Sequence, residues 1–151
     1  MLVVAAAATI YLVVRENRRT YVSQWRLFAP GAAGSFVAGI LFLTEISAGE
    51  PRWLFVGAAV LALMIGAVRA MMIGLQRDRY NPEITISRNA GRVFLAVAIG
   101  VAICAALEII GAYASPELEK LRFWAALSAM VLAMAMLSRA LVLTIRFHLD
   151  S

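Results

Sequence analysis

Four ionisable side chains stand inside long apolar runs: Glu45, Arg69, Glu108 and Arg139. A charge near the bilayer centre costs at least about 2.5–3.5 kcal/mol on insertion scales, so such groups face a bundle interior or water and mark ion pairs, ion paths or anion sites. Glu108 lies about 9 Å by helix rise from the end of its run. The residues one turn apart on its face are Ala96, Gly100, Cys104 and Ala112. Small neighbours let helices approach closely, which predicts Glu108 in a helix interface, its carboxyl either protonated or hydrogen-bonded, with Ser, Thr or Tyr groups at hand to satisfy it. Glu45 continues the face of Gly31, Ser35, Ala38 and Phe42 near the end of its run and is expected to be half hydrated. Arg69 and Arg139 precede Arg77 and Arg146 by seven or eight residues, about 10–12 Å by helix rise. Each either snorkels to the headgroups or turns inward. An inward Arg would hold an anionic group or pair with Glu108 across an offset of about 10 Å, which strains direct pairing.

The remaining reactive residue types are sparse. One Cys (Cys104) and one His (His148) exclude a self-contained disulfide framework, a Cys/His metal site and a bis-His haem. Cys104 reads as a small buried residue and His148 as an interfacial imidazole. No Gly-rich phosphate loop, nucleophile elbow, Ser/His/Asp set or pair of carboxylates at one depth is present, so neither an enzyme nor a bound cofactor or metal is expected.

The elements that must carry these residues follow from composition. Of 151 residues, 63% are hydrophobic and 15% charged, against roughly 45–50% and about 25% in soluble domains. With about 20 apolar residues per crossing, the chain reads as a single polytopic, all-α membrane bundle. Five runs stand out, at residues 1–14, 27–46, 53–76, 93–114 and 123–145. The first spans only about 21 Å of a roughly 30 Å core. It must therefore extend into residues 15–19, begin upstream, or thin the bilayer. No positive segment precedes it, so it reads as an uncleaved span and not a signal peptide.

Lys and Arg fall eleven on one side of the alternating runs (Arg15, Arg18, Arg19, Arg26, Arg69, Arg77, Arg79, Arg88, Arg92, Arg139, Arg146) and three on the other (Arg52, Lys120, Arg122). That bias places the N-terminus outside and the C-terminus in the cytoplasm. Arg-rich, Ala-rich usage points to a bacterial inner membrane. The net charge of +5 thus reports topology and not nucleic-acid binding. Arg15, Arg18, Arg19 and Arg26, with Trp25, form a collar suited to anionic lipid headgroups or simply to anchoring.

Residues 77–92 form the longest polar stretch. Glu83, Thr85 and Ser87 alternate with Ile84 and Ile86, and Asn89-Ala90-Gly91 supplies turn residues. This reads as a short strand or hairpin, or as an ordinary loop. Residues 27–76 and 93–146 share an order of features: Arg26 and Arg92, Glu45 and Glu108, Glu50-Pro51 and Pro116-Glu117, Arg52-Trp53 and Arg122 with Trp124, Arg69-Ala70 and Arg139-Ala140. Trp and the later Arg are 16 residues apart in one copy and 15 in the other. Two helical hairpins of like orientation would produce this repeat, as would the basic ends and interfacial Trp common to membrane hairpins. On the last run, Met130 and Met134 lie roughly opposite Arg139 and should face lipid or a partner.

The basic loop Arg18, Arg19, Trp25, Arg26 and Pro30, with Gly66-Ala67-Val68-Arg69 running into the polar insert, resembles the CcdC-like group of small bacterial membrane proteins. The resemblance covers residues 15–110 and implies a polytopic fold. That group has no established molecular activity, and no catalytic or binding residue carries over. Two functions fit the chain. One is a non-enzymatic accessory or assembly protein packing in the lipid bilayer against itself, as a homo-oligomer, or against a larger membrane complex. The other is a small transporter or channel using Glu45, Glu108, Arg69 and Arg139.

Overall fold

The computed structural model describes residues 1–18, 24–47, 49, 51–73, 75–77, 84–86, 88–113 and 119–149. Five helices dominate: α1 (Leu2–Asn17), α2 (Gln24–Ser47), α3 (Arg52–Met72), α4 (Arg88–Tyr113) and α5 (Glu119–Leu149). In lipid the backbone must bond to itself, and a long apolar run does so as a helix. Among the described residues, four helices are long and apolar enough to cross a membrane, over Leu27–Ser47, Arg52–Met72, Ala90–Tyr113 and Lys120–Arg146. The 16-residue α1 is not among them. It extends through Arg15 and Glu16 and reaches about 24 Å.

The α2–α3 connection is tight. Gly49 adopts a φ of 94° and donates its N–H to the Ile46 carbonyl at 3.0 Å, a left-handed turn that glycine makes without a Cβ clash. Pro51 then caps α3 with φ at −69°, the angle its ring prefers.

α5 is the central element, lying against α2, α3 and α4, while α1 packs on α2 and α4. Helices α1, α2, α4 and α5 therefore form a four-helix bundle. Among the described residues α3 flanks it, with one substantial interface, to α5. α3 and α5 run parallel: Phe55 meets Phe123, Gly66 meets Ala135 and Ser138, and Ala70 meets Arg146. A Cβ at Gly66 would sit 2.7 Å from the Ala135 carbonyl oxygen, so backbone approach there depends on glycine. The Ser138 hydroxyl donates to the Leu63 carbonyl at 2.7 Å across the same interface. Alanines dominate the bundle core, with Ala98, Ala105, Ala126, Ala129 and Ala133 buried beside Val37, Leu41 and Val101. Small side chains bring helices close enough for van der Waals packing, which drives association where lipid is as apolar as the core.

Between α3 and α4, strands β1 (Leu75–Arg77) and β2 (Ile84–Ile86) pair antiparallel, with Gln76 opposite Thr85. The alternation around Ile84 and Ile86 is therefore a strand. Its partner arm begins at Leu75, which the sequence reading assigns to the end of the third apolar run. Asn89, Ala90 and Gly91 do not form the expected turn. They enter the first turn of α4, which starts at Arg88, a place where unpaired N–H groups make short polar residues and glycine acceptable. Residues 78–83 lie outside the described residues.

Candidate functional site

The buried face of α4 carries Phe94, Ala98, Val101, Ala105 and Glu108. This face follows the 3.6-residue period. The expected four-residue row drifts about 40° per turn, so Ala96 and Ala112 at its ends are exposed and Gly100 is half-buried. Glu108 is buried as expected, and its partner is Arg122 in the first turn of α5, not a hydroxyl. Arg122 donates from Nε at 3.0 Å and from Nη2 at 2.7 Å, both to Glu108 Oε1. Glu108 Oε2 is buried without a hydrogen-bond partner. Beside this pair an edge-to-face aromatic run passes from Phe42 to Phe55 at 5.2 Å, to Phe123 at 5.6 Å and to Trp124 at 5.9 Å, fastening α2, α3 and α5 at this end of the bundle. Glu45, one turn beyond Phe42, is only 2% exposed. The expectation of half hydration is thus corrected: the face of Gly31, Ala38 and Glu45 turns inward, with Gly31 against Leu137 of α5.

Arg69 and Arg139, alike in sequence, part company. Arg139 is buried, its guanidinium 3.9 Å above the centre of the Phe94 ring, an arrangement in which the ring quadrupole attracts the cation. Its Nε has no hydrogen-bond partner. Arg69 is exposed, which overturns its inward reading. The side of α3 turned to α5 carries Phe55, Ala62, Gly66 and Ala70, and Arg69 lies about 100° around the helix from Ala70. Pairing of either Arg with Glu108 is also corrected, since Arg122 occupies that carboxyl. Met130 and Met134 do not form a free face. Both are half-buried and Met130 packs on the core, because helices surround α5 on three sides.

Two functional candidates escaped the sequence reading. In the sequence Arg122 stands as an outer basic residue and as the repeat counterpart of Arg52, and the α4–α5 hairpin brings it to Glu108. Glu16 follows Ala6, Thr9 and Val13 at spacings of three, four and three, the period of the α1 face that those residues bury. Its Oε2 is buried without a hydrogen-bond partner. Within the basic collar, Arg15 and Arg18 are exposed. Arg19 lies outside the described residues, as do the side chains of Trp25, Arg26 and His148. Among the described residues, no group of three or more His, Cys, Asp and Glu is placed to hold a metal ion, and Cys104 is buried and unpaired. Comparison with family models, curated proteins and solved structures found no match to this chain.

Proposed function

We propose that the protein is a non-enzymatic accessory or assembly protein of a bacterial inner membrane, with its N-terminus outside and its C-terminus in the cytoplasm. In this reading α3 packs against a second copy or a larger membrane complex. The observation that carries it is the isolation of α3. This helix has one substantial interface and leaves Leu61, Met64, Ile65 and Val68 exposed, with open space over Gly57. The ion pair of Glu108 with Arg122 and the burial of Glu45 support packing over conduction at that end. A transport reading draws on the unpartnered buried atoms Glu108 Oε2 and Arg139 Nε, with the exposed Arg69 standing off that path.

α1 supplies a fifth, short crossing in this reading, with the bilayer thinned around it, and exposed Arg15 and Arg18 meet anionic headgroups. The two-hairpin repeat draws support from buried Glu45 and Glu108 and from exposed Trp53 and Trp124. The polytopic fold implied by the CcdC-like resemblance is consistent with it. The test is cysteine cross-linking from Gly57 and Leu61 in native membranes, with native purification and mass spectrometry. A defined adduct formed from both positions is expected. A lone monomer with no adduct from either position overturns the proposal.

A further inference from the structure

At the end of the bundle where α3 finishes, α5 is the floor of a cleft. Gly66 of α3 meets Ala135 and Ser138 of α5, whereas Gly100 and Phe94 of α4 meet Leu132 and Arg139. Among the described residues α3 and α4 share no substantial interface with each other, so the cleft runs between them over the strip of α5 that separates the two contacts. Arg139 and Arg146 lie on that strip, about 100° and 80° around α5 from Ser138 toward α4. Arg69 stands on the α3 wall. It lies about 60° around α3 from Gly66 in the opposite sense, and opposite turns on two facing parallel helices lead to the same side. The docking of Gly66 on Ser138 sets Arg69 level with the turn of α5 that starts there.

All three arginines keep donors to spare. Arg146 commits Nη1 to the carbonyls of Ala70, Met71 and Ile73, directly after Arg69 in the chain, and its Nε and Nη2 make no hydrogen bond among the described residues. Arg139 is 8% exposed. Phe94 covers one face of its guanidinium and its Nε is unbonded. Arg69 is exposed. Among the described residues no carboxylate makes a salt bridge to any of the three. Glu16, the described carboxylate at this end, sits on α1, which has no substantial interface with α3 or α5. Arg92 is exposed about 160° around α4 from Phe94, outside the cleft. Cations gathered at this depth without an acceptor are costly, and an anion between them offsets that cost.

Depth selects the anion. Trp53 is exposed at the start of α3, and indole rings settle at the membrane interface. Arg69 follows 16 residues later, about 24 Å by helix rise. That leaves it about 6 Å short of the far boundary of a roughly 30 Å core, a gap that an arginine side chain spans to reach a lipid phosphate. Met72, exposed beside it, offers apolar surface to an acyl chain.

We propose that the cleft between α3 and α4 binds the phosphate headgroup of an anionic phospholipid, with Arg69, Arg139 and Arg146 as its donors. Guanidinium forks match phosphate oxygens in pairs. The site is distinct from the collar of Arg15 and Arg18 and does not depend on the partner assigned to α3.

The test titrates the intact chain in a neutral detergent with dioleoylphosphatidylglycerol or dioleoylphosphatidylcholine and counts bound lipid by native mass spectrometry. One phosphatidylglycerol should bind per chain ahead of phosphatidylcholine, and millimolar inorganic phosphate should not displace it. Arg69→Gln, a change at an exposed position, should weaken this first binding by about fivefold or more, and Arg69→Lys by less. Replacing Arg15 and Arg18 together by Gln should leave the first binding unchanged. Equal retention of the two lipids, equal losses in the Arg69→Gln and collar variants, or displacement by inorganic phosphate overturns the proposal.

Discussion

Arg122 reaches from the first turn of α5 back to α4 and places two donors, Nε and Nη2, on a single oxygen of Glu108. The pair thereby closes the α4–α5 hairpin at the end where the aromatic run also ties α2 and α3 to α5.

Removing Arg122 leaves the buried Glu108 carboxyl without its hydrogen-bond partner, and removing Glu108 takes from the half-buried Arg122 its carboxylate. Arg122→Leu and Glu108→Leu should each lower unfolding stability in micelles by about 1–3 kcal/mol. Glu108→Gln should be tolerated because the amide retains an acceptor oxygen. Combining the two Leu changes should recover part of the loss, since apolar replacement of both partners is often nearly neutral. Gln and Leu variants that both match the parent in stability would remove the structural role assigned to Glu108.

Gly66 marks the closest approach of α3 to α5. A Cβ would lie 2.7 Å from the Ala135 carbonyl oxygen, 2.9 Å from its Cα and 3.0 Å from Ser138 Cβ, so backbone must shift to admit it. Gly66→Ala should cost about 1–3 kcal/mol in thermal unfolding. Gly57→Ala, on the same helix but facing open space, should stay within about 0.5 kcal/mol of the parent. Equal losses at the two positions would mean that the close approach to Ala135 does not set the cost at Gly66, since helix propensity alone favours Ala over Gly.

Arg146 closes the other end of α3. Its Nη1 donates to the carbonyls of Ala70 at 3.0 Å, Met71 at 3.3 Å and Ile73 at 2.9 Å, groups that a helix C-terminus leaves without intrahelical partners. Arg146→Ala should fray this turn, read as faster amide exchange over residues 69–73 and a stability loss of about 1–3 kcal/mol. Arg146→Lys should retain part of the protection through its own donors. Exchange unchanged in both variants would show that the α3–α5 packing holds this turn without Arg146.

α5 runs unbroken over Glu119–Leu149, so the segments at its two ends should emerge on opposite sides of a membrane. A reporter after Ser151 should be cytoplasmic and one within residues 115–120 outside, as the eleven-to-three bias of basic residues indicates. Both reporters on one side would eliminate the crossing of α5.

Apolar length and backbone chemistry made the helices legible from sequence. The runs at 27–46 and 93–114 lie within or close to α2 and α4, because a lipid-embedded backbone has few other ways to bond its polar groups. The burial of Glu108 was legible too, since a charge at that depth seeks a helix interface. Its partner was not. Arg122 lies fourteen residues further along, and the match depends on the register at which two antiparallel helices pack. Arg69 and Arg139 show the same limit. Each precedes an alanine at a similar distance from a basic end, yet one is exposed and the other buried under Phe94. Nothing local separates them. The difference arises because α5 is enclosed by three helices while α3 leans on one, and which helix is enclosed depends on how Ala- and Gly-lined surfaces fit across the bundle.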